Sequence, residues 1–260
     1  MDKLFVVKIG GNIIDDEAKL SSFLQSFALL EGKKILVHGG GKLATRIAEA
    51  MGIQQQMVDG RRITDAETLK IVTMVYAGFI NKNIVVQLQS FNCNATGLSG
   101  ADGNIIKAHK RSAAIDYGFV GDIDEVNIEL LHTLLQINEA LVLAPITHDG
   151  NGQLLNTNAD TIAQEVAKAM SKLFDVNLIY SFEKAGVLLD VNDDASVVPL
   201  INPVKYEQLK AQGKIFAGML PKLDNAFAAV FSGVHKVIIG KAEELHEQVQ
   251  GKKGTTIINE

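Results

Sequence analysis

The chain has 260 residues, 47% of them hydrophobic, and its 25 basic and 30 acidic side chains give a formal net charge of -5. That length and apolar content suffice for one large or two modest domains with a real core, and they exclude a disordered chain. The basic residues are dispersed rather than gathered into a stripe, so nucleic acid is excluded as an expected partner and small molecules are favoured.

The first apolar run, residues 4–9, leads directly into Gly10-Gly11-Asn12. Ile13, Leu20, Phe23, Leu24, Phe27 and Leu30 then recur at three- and four-residue spacing, which predicts an amphipathic helix over 12–31. A second strand, 34–38, leads into His38-Gly39-Gly40-Gly41-Lys42. Both strands end in turns whose bare N–H groups can approach an anion, backed by the positive end of a helix. Side by side at one edge of a parallel sheet, with Lys8 beside them, they point to a site where a negatively charged group is held or transferred.

Gly60-Arg61-Arg62-Ile63-Thr64 precedes a long helix over 65–90, in which Thr64 and Glu67 form a capping box. Strand-like runs follow at 93–98, 140–146, 177–182 and 234–240, and a further helix at 159–172. Gly100–Asn104 and Asp149–Gly152 read as hairpin turns. This alternation predicts an α/β protein with a parallel core. No linker divides the chain; the best boundary falls after Lys172, giving halves 1–171 and 172–260 that share one sheet. Cys93, the single cysteine, reads as a small core residue and permits no intramolecular disulfide, which fits a reducing cytosol. The early first strand leaves no room for a signal peptide, and no apolar run approaches the eighteen or so residues of a membrane span, so the expectation is a cytoplasmic protein without membrane contact.

Several side chains carry chemistry. Lys8, inside an apolar strand and before a glycine pair, would be costly to bury without an anionic partner, and reads as a phosphate ligand. The 38–42 turn is not a P-loop, because Leu36 and Leu43 stand where that pattern needs Gly and Ser or Thr. It does fit a dinucleotide fingerprint through Gly39, Gly41 and Ala44. The acidic ribose ligand expected about twenty residues later is missing, since Asp59 lies in a polar, non-strand stretch. Arg62 suits bidentate capture of a carboxylate, whereas Arg61 reads as solvated. Asn156-Thr157-Asn158-Ala159-Asp160 holds two amides and a carboxylate, of which a helix cap explains one. Lys222 sits in the first turn of a helix, where a cation opposes the macrodipole.

Five motifs, Lys8-x-Gly10-Gly11, His38-Gly39-Gly40-Gly41, Gly60-x-Arg62-x-Thr64, Asn156-x-Asn158-Ala159-Asp160 and Gly218-Met219-x-x-Lys222, occur in an order that resembles the N-acetylglutamate kinases of the amino acid kinase family over essentially the whole chain. The resemblance implies a three-layer αβα sandwich around a mainly parallel open sheet with hairpin additions. It places the acylamino acid in residues 1–171 and ATP in 172–260. It implies transfer of the ATP γ-phosphoryl group to the side-chain carboxylate of N-acetyl-L-glutamate, the second step of arginine biosynthesis. Mg²⁺ would be held by the ATP phosphates and water, with no metal site built by the protein.

By the same resemblance Lys8 and Lys222 are catalytic, with Asp160 orienting both by accepting from their ammonium groups. Gly40, Gly41, Arg62, Asn156 and Asn158 bind substrate. Gly10, Gly11, Ser181, Phe182, Glu183, Lys184, Gly186, Phe216, Gly218 and Met219 bind the nucleotide. The run Ser181-Phe182-Glu183-Lys184-Ala185-Gly186 replaces the family's Thr/Ser-Asp-Val-x-Gly, and Asp59-Gly60-Arg61 replaces a more usual Asn-Gly-Leu. Arginine-inhibited relatives carry an extra N-terminal helix, so a chain that begins with its first strand points to a homodimer without arginine feedback. The helix over 65–90 offers the dimer face through Leu69, Val72, Met74, Val75, Phe79 and Ile80. Alternatives are a kinase of another acylglutamate such as N-succinylglutamate, a family member with another acceptor, and, more distantly, a dinucleotide-binding oxidoreductase or ligand sensor.

Overall fold

The computed structural model describes residues 1–58, 60–215 and 217–260; Asp59 and Phe216, both named above, lie outside the described residues. The chain runs β1 (Lys3–Ile9), α1 (Gly11–Ile14), α2 (Glu17–Ala28), β2 (Lys33–His38), α3 (Gly41–Ala50), β3 (Gln56–Val58), β4 (Arg61–Ile63) and α4 (Ala66–Thr73). Helix α4 continues through a π-helical stretch, Met74–Ile80, into α5 (Asn81–Ser90). There follow β5 (Ala95–Leu98), β6 (Ile106–Lys110), β7 (Gly121–Val126), α6 (Ile128–Ile137), β8 (Ala140–Leu143), β9 (Ile146–His148), β10 (Leu154–Asn156) and α7 (Ala159–Met170). The remainder is β11 (Asp175–Phe182), β12 (Leu200–Ile201), α8 (Pro203–Ala211), α9 (Leu220–Phe231), β13 (Lys236–Lys241), α10 (Leu245–Val249) and β14 (Thr255–Ile257).

An eight-stranded sheet of order β12-β14-β13-β11-β1-β2-β8-β5 forms the middle layer. It is parallel except where β13 meets β14. Because strand side chains alternate, β1 sends Leu4 and Val6 into one core with Leu131 of α6, Ile162 and Val166 of α7 and Leu223 of α9. Phe5, Val7 and Ile9 enter the opposite core with Phe23 and Phe27 of α2, Val72 of α4 and Ile84 of α5. Helices cover both faces, so the central strands read as unbroken apolar runs. This is the three-layer αβα arrangement expected, and β1 pairing with β11 carries one sheet across both halves of the chain. A smaller mixed sheet, β10-β9-β6-β7, is the addition at its side.

Several sequence expectations change in detail. The helix expected over 12–31 is two helices, because Asp16 accepts from the Lys19 N–H and restarts the chain as α2. The cap of α4 is Asp65, accepting from the Thr68 N–H at 2.7 Å, while Thr64 Oγ1 accepts instead from Asn156 Nδ2 at 3.0 Å. Asp149–Gly152 is indeed the hairpin turn between β9 and β10, but Gly100–Asn104 carries the chain from the large sheet to the small one. The run 140–146 breaks at Ala144-Pro145, so its two ends serve different sheets. The glycine turns lie not at a lateral edge but at the carboxyl ends of two interior strands. Finally, the helix Ala66–Ser90 is long and apolar enough to cross a membrane. It packs Val72, Val75, Ile80, Ile84 and Leu88 against the sheet, as a core helix does.

Gly118 ties the small sheet to the segment before α4. It bridges Thr64, whose N–H donates to Tyr117 O and whose carbonyl accepts from Phe119 N–H. Its φ is +71°, and an added Cβ would lie 2.2 Å from Thr64 O, a backbone atom that cannot step aside. Gly118→Ala is expected to cost about 3 kcal/mol, seen as a melting temperature lowered by roughly 6–12 °C in a thermal scan.

Candidate active site

Strand parity puts Lys8 on the same face as Leu4 and Val6, the face covered by α7. There the Lys8 Nζ meets Asp160 Oδ1, in the first turn of α7, at 2.7 Å. The carboxylate also sits where the α7 dipole favours a negative charge. Lys222, in the first turn of α9, rests its ammonium over the Phe182 ring, 4.1 Å from the centroid. Burial pulls the Lys222 ammonium below its ordinary value; Lys8 lowers it further and Asp160 opposes both. Lys8, Asp160 and Lys222 line one small cavity with Tyr180, Phe182 and Asn225. The expected convergence of the two lysines is therefore present. The carboxylate's ion pair is with Lys8, however, and Lys222 makes none with it within 4 Å among the described residues.

The two glycine turns stand between two larger clefts, because Gly10, Gly11 and Gly41 line both. One cleft, about 550 Å³, contains Phe182, Glu183, Lys184, Gly186, Gly218, Met219 and Lys222. The other, about 250 Å³, contains Lys8, Gly39, Gly40, Arg62, Asn156, Asn158 and Asp160. At the second turn Gly40 has φ +143°, and a Cβ there would lie 2.2 Å from Ile80 Cδ1. Only glycine lets this turn pack against the π-helical stretch of the long helix. Helix α3 then begins with no side-chain cap, leaving its first N–H groups directed at the boundary between the clefts.

In the smaller cleft, Arg62 is buried and its Nη2 donates to Gly41 O at 2.8 Å and to Thr45 Oγ1 at 2.9 Å, while Nη1 donates to Gln55. The guanidinium is thus fixed on the second turn before any ligand is considered. Asn156 is held by Thr64, and Asn158 caps α7 through its side-chain oxygen, accepting from the Asp160 and Thr161 N–H groups. Its amide NH₂ is not used in that cap. Sequence reasoning missed Tyr76, buried beneath the glycine turn with its hydroxyl pushed up by burial, and Arg111, held by both oxygens of Asp122. It also set aside Arg61, which lines the same cleft. Neither Tyr76 nor Arg111 belongs to a local motif; only the pairing of β6 with β7 and the seating of the long helix bring them here.

Of the residues expected in the larger cleft, Ser181 is absent from its walls. It pairs in register with Ile9 and is 1% exposed, its hydroxyl without a hydrogen-bond partner among the described residues. Alternation along β11 sends Phe182 into the cleft and Ser181 away from it.

Two bare turns and two ammonium groups, set between adjoining clefts at the carboxyl end of a parallel sheet, are what a phosphoryl-transfer enzyme of α/β type requires. The profile of the amino acid kinase family matches residues 3–241. An acetylglutamate kinase of Cytophaga hutchinsonii is 57% identical, over 99% of this chain and 99% of its own. The chain therefore belongs to the amino acid kinase family, among the acetylglutamate kinases. Solved structures show the same fold. An N-acetylglutamate synthase from Neisseria gonorrhoeae, complexed with coenzyme A and N-acetyl-glutamate, superposes with a TM-score of 0.82 at 20% identity; it covers all of this chain, which spans 60% of that one. A carbamate kinase from Giardia lamblia bound to AMP-PNP gives 0.71 at 15% identity, covering 100% of this chain and 99% of its own.

His38, fully buried beneath the second turn, has Nδ1 2.8 Å from Gly39 O and Nε2 3.3 Å from Asn81 Nδ2, which itself donates to Val142 O. Both contacts are satisfied when the proton is on Nδ1 and the ring is neutral. Burial lowers its pKa to about 4 from 6.5. The unfolded chain therefore binds more protons between these values, and stability falls as pH drops through that window. The expected loss from this group is about 2 kcal/mol between pH 6.5 and pH 5. Urea unfolding at the two pH values should show a smaller difference in His38→Gln than in the unaltered protein.

Proposed function

We propose that the protein transfers the γ-phosphoryl group of ATP to the side-chain carboxylate of N-acetyl-L-glutamate, giving N-acetylglutamyl 5-phosphate and ADP, the second step of arginine biosynthesis. The observation that carries this reading is the shared wall of glycine turns, with Lys8 facing one cleft, Lys222 the other, and Asp160 between them. The 57% identity to an acetylglutamate kinase supports the choice of acceptor.

The acceptor occupies the smaller cleft in the N-terminal half, residues 1–171, and ATP the larger one, mostly in residues 172–260. Arg62 and Asn156 grip the acceptor's α-carboxylate, with Asn158 beside them and the Gly40 and Gly41 amides on its oxygens. Gly10 and Gly11 contact the phosphates. Phe182, Glu183, Lys184, Gly186, Gly218 and Met219 wall the nucleotide. The acceptor carboxylate is ionised at neutral pH, so no general base is needed. What transfer requires is positive charge where the negative charge spreads, supplied by Lys8 from the acceptor side and Lys222 from the nucleotide side. Asp160 fixes the Lys8 ammonium without neutralising the pair of lysines. Mg²⁺ fits as a partner of the phosphates rather than of the protein, because Asp160 is already committed to Lys8; when bound, it shields polyphosphate charge.

A homodimer is proposed through the long helix. Leu69, Val72, Val75 and Ile80 are committed to the core, but Met74, Phe79 and Val86 are 54%, 62% and 62% exposed and leave an apolar stripe for a second copy.

An ADP-release assay over N-acetylglutamate, N-succinylglutamate, glutamate, carbamate and UMP tests the reaction directly. Turnover is expected with the acylglutamate; turnover confined to an unacylated acceptor would contradict it. Lys8→Ala and Lys222→Ala should each lower kcat about 10²–10³-fold, the scale of one lost preorganised donor. Arg62→Lys, which keeps the charge but loses the fork, should act mainly by raising the acceptor KM roughly tenfold.

A further inference from the structure

Lys42 belongs to the second glycine turn, yet it has no part in the proposed transfer. It is the second residue of α3, where the unpaired N–H groups and the helix dipole disfavour a cation. Its stem lies 4.0 Å from the position a Gly11 Cβ would take, so it crosses the first glycine turn. Its ammonium donates to the neutral amide oxygen of Asn12, and it lines the larger cleft together with Gly11, Gly41 and Lys222. An exposed lysine would ordinarily turn from a helix N-terminus to water. This one is directed across the mouth of the cleft, with a neutral hydrogen-bond partner in Asn12 and the Asp15 carboxylate beside the same turn, Oδ2 3.6 Å from the Gly11 Cβ position. A strongly anionic ligand lying across Gly11 and Gly41 would reverse that balance, because the N–H groups and the ammonium would then act on the same charge.

Resting on the nucleotide reading of this cleft, we propose that Lys42 is a third ammonium ligand of the bound polyphosphate, exchanging Asn12 for a phosphate oxygen at its β–γ end. The location follows from the shared glycines: Gly11 and Gly41 border both clefts, so the part of the nucleotide that Lys42 reaches is the end nearest the acceptor. Lys222 approaches the same phosphates from α9 on the far wall. Together with Lys8, the arrangement surrounds the phosphates with ammonium groups from three separate elements, β1, α3 and α9.

Isothermal titration of the full chain with Mg-ATP and with AMP tests the assignment, alongside steady-state kinetics for N-acetylglutamate. Lys42→Gln should weaken ATP binding about tenfold or more, the scale of one charge-assisted hydrogen bond. AMP affinity and the acceptor KM should stay within about twofold, and Lys42→Arg should recover most of the ATP affinity. Unchanged ATP affinity in Lys42→Gln overturns the proposal. So does a loss of ATP affinity accompanied by an equal rise in acceptor KM, because Lys42 would then only staple the two turns together. If the unaltered chain takes up no ATP, the nucleotide reading itself falls and this assignment with it; if it does and the variant matches it, this assignment alone fails.

Discussion

An ammonium group on a central strand of a parallel sheet must be satisfied where it stands, and Lys8 meets Asp160 at 2.7 Å. Around that pair the rest of the site is arranged. Strand parity chooses the face, the start of α7 supplies the carboxylate, and the Asn158 cap fixes the turn on which the carboxylate rides. The pair leaves net positive charge in the cavity, because Lys222 enters it with the aromatic face of Phe182 beneath its ammonium. The ring favours the charged form, while burial and Lys8 act against it. Such a site is incomplete until an anion fills it.

The helix starts point the same way. Helices α2, α4, α6, α7 and α8 open on Asp or Asn side chains that accept from the first-turn N–H groups. Helices α3 and α9, which open on the clefts, have no side-chain cap at Gly40 and Met219. The donors at the second glycine turn and at the start of α9 are thus left available, whereas α7, whose first turn carries Asp160 into the smaller cleft, is capped by Asn158. The packing that allows this is specific. The π-helical stretch widens the long helix where Ile80 and Tyr76 press on Gly40, so apolar contact holds the second turn from below while the Gly39 N–H ties it to Ile9 O at 3.1 Å.

Features set by neighbours in sequence were legible there. The two strand-to-glycine turns, the covered sheet and Lys8 follow from runs of fewer than ten residues and from the rules that govern them. Choices between near-equal local options were not. Thr64 and Asp65 are both good caps, and the decision rests with Asn156, 92 residues away, which engages Thr64. Ser181 and Phe182 are adjacent, and only the register with β1 says which of them faces the cleft. Lys222 carried no signal of its own beyond its awkward place in a helix, and its role came from resemblance. Arg111 and Tyr76 had none, since what brings them to the cleft is the small sheet and the π-helical stretch.

The claim at the centre is that Lys8 and Lys222 act on one phosphoryl group from opposite sides of a shared wall. A crystal structure with ADP, N-acetylglutamate and a planar fluoride mimic of the transferring group tests it most directly. The account predicts both ammonium groups within hydrogen-bond distance of the mimic, with Asp160 still on Lys8. A complex in which either ammonium points away from the mimic, or in which the mimic lies outside the boundary of the two clefts, would contradict it.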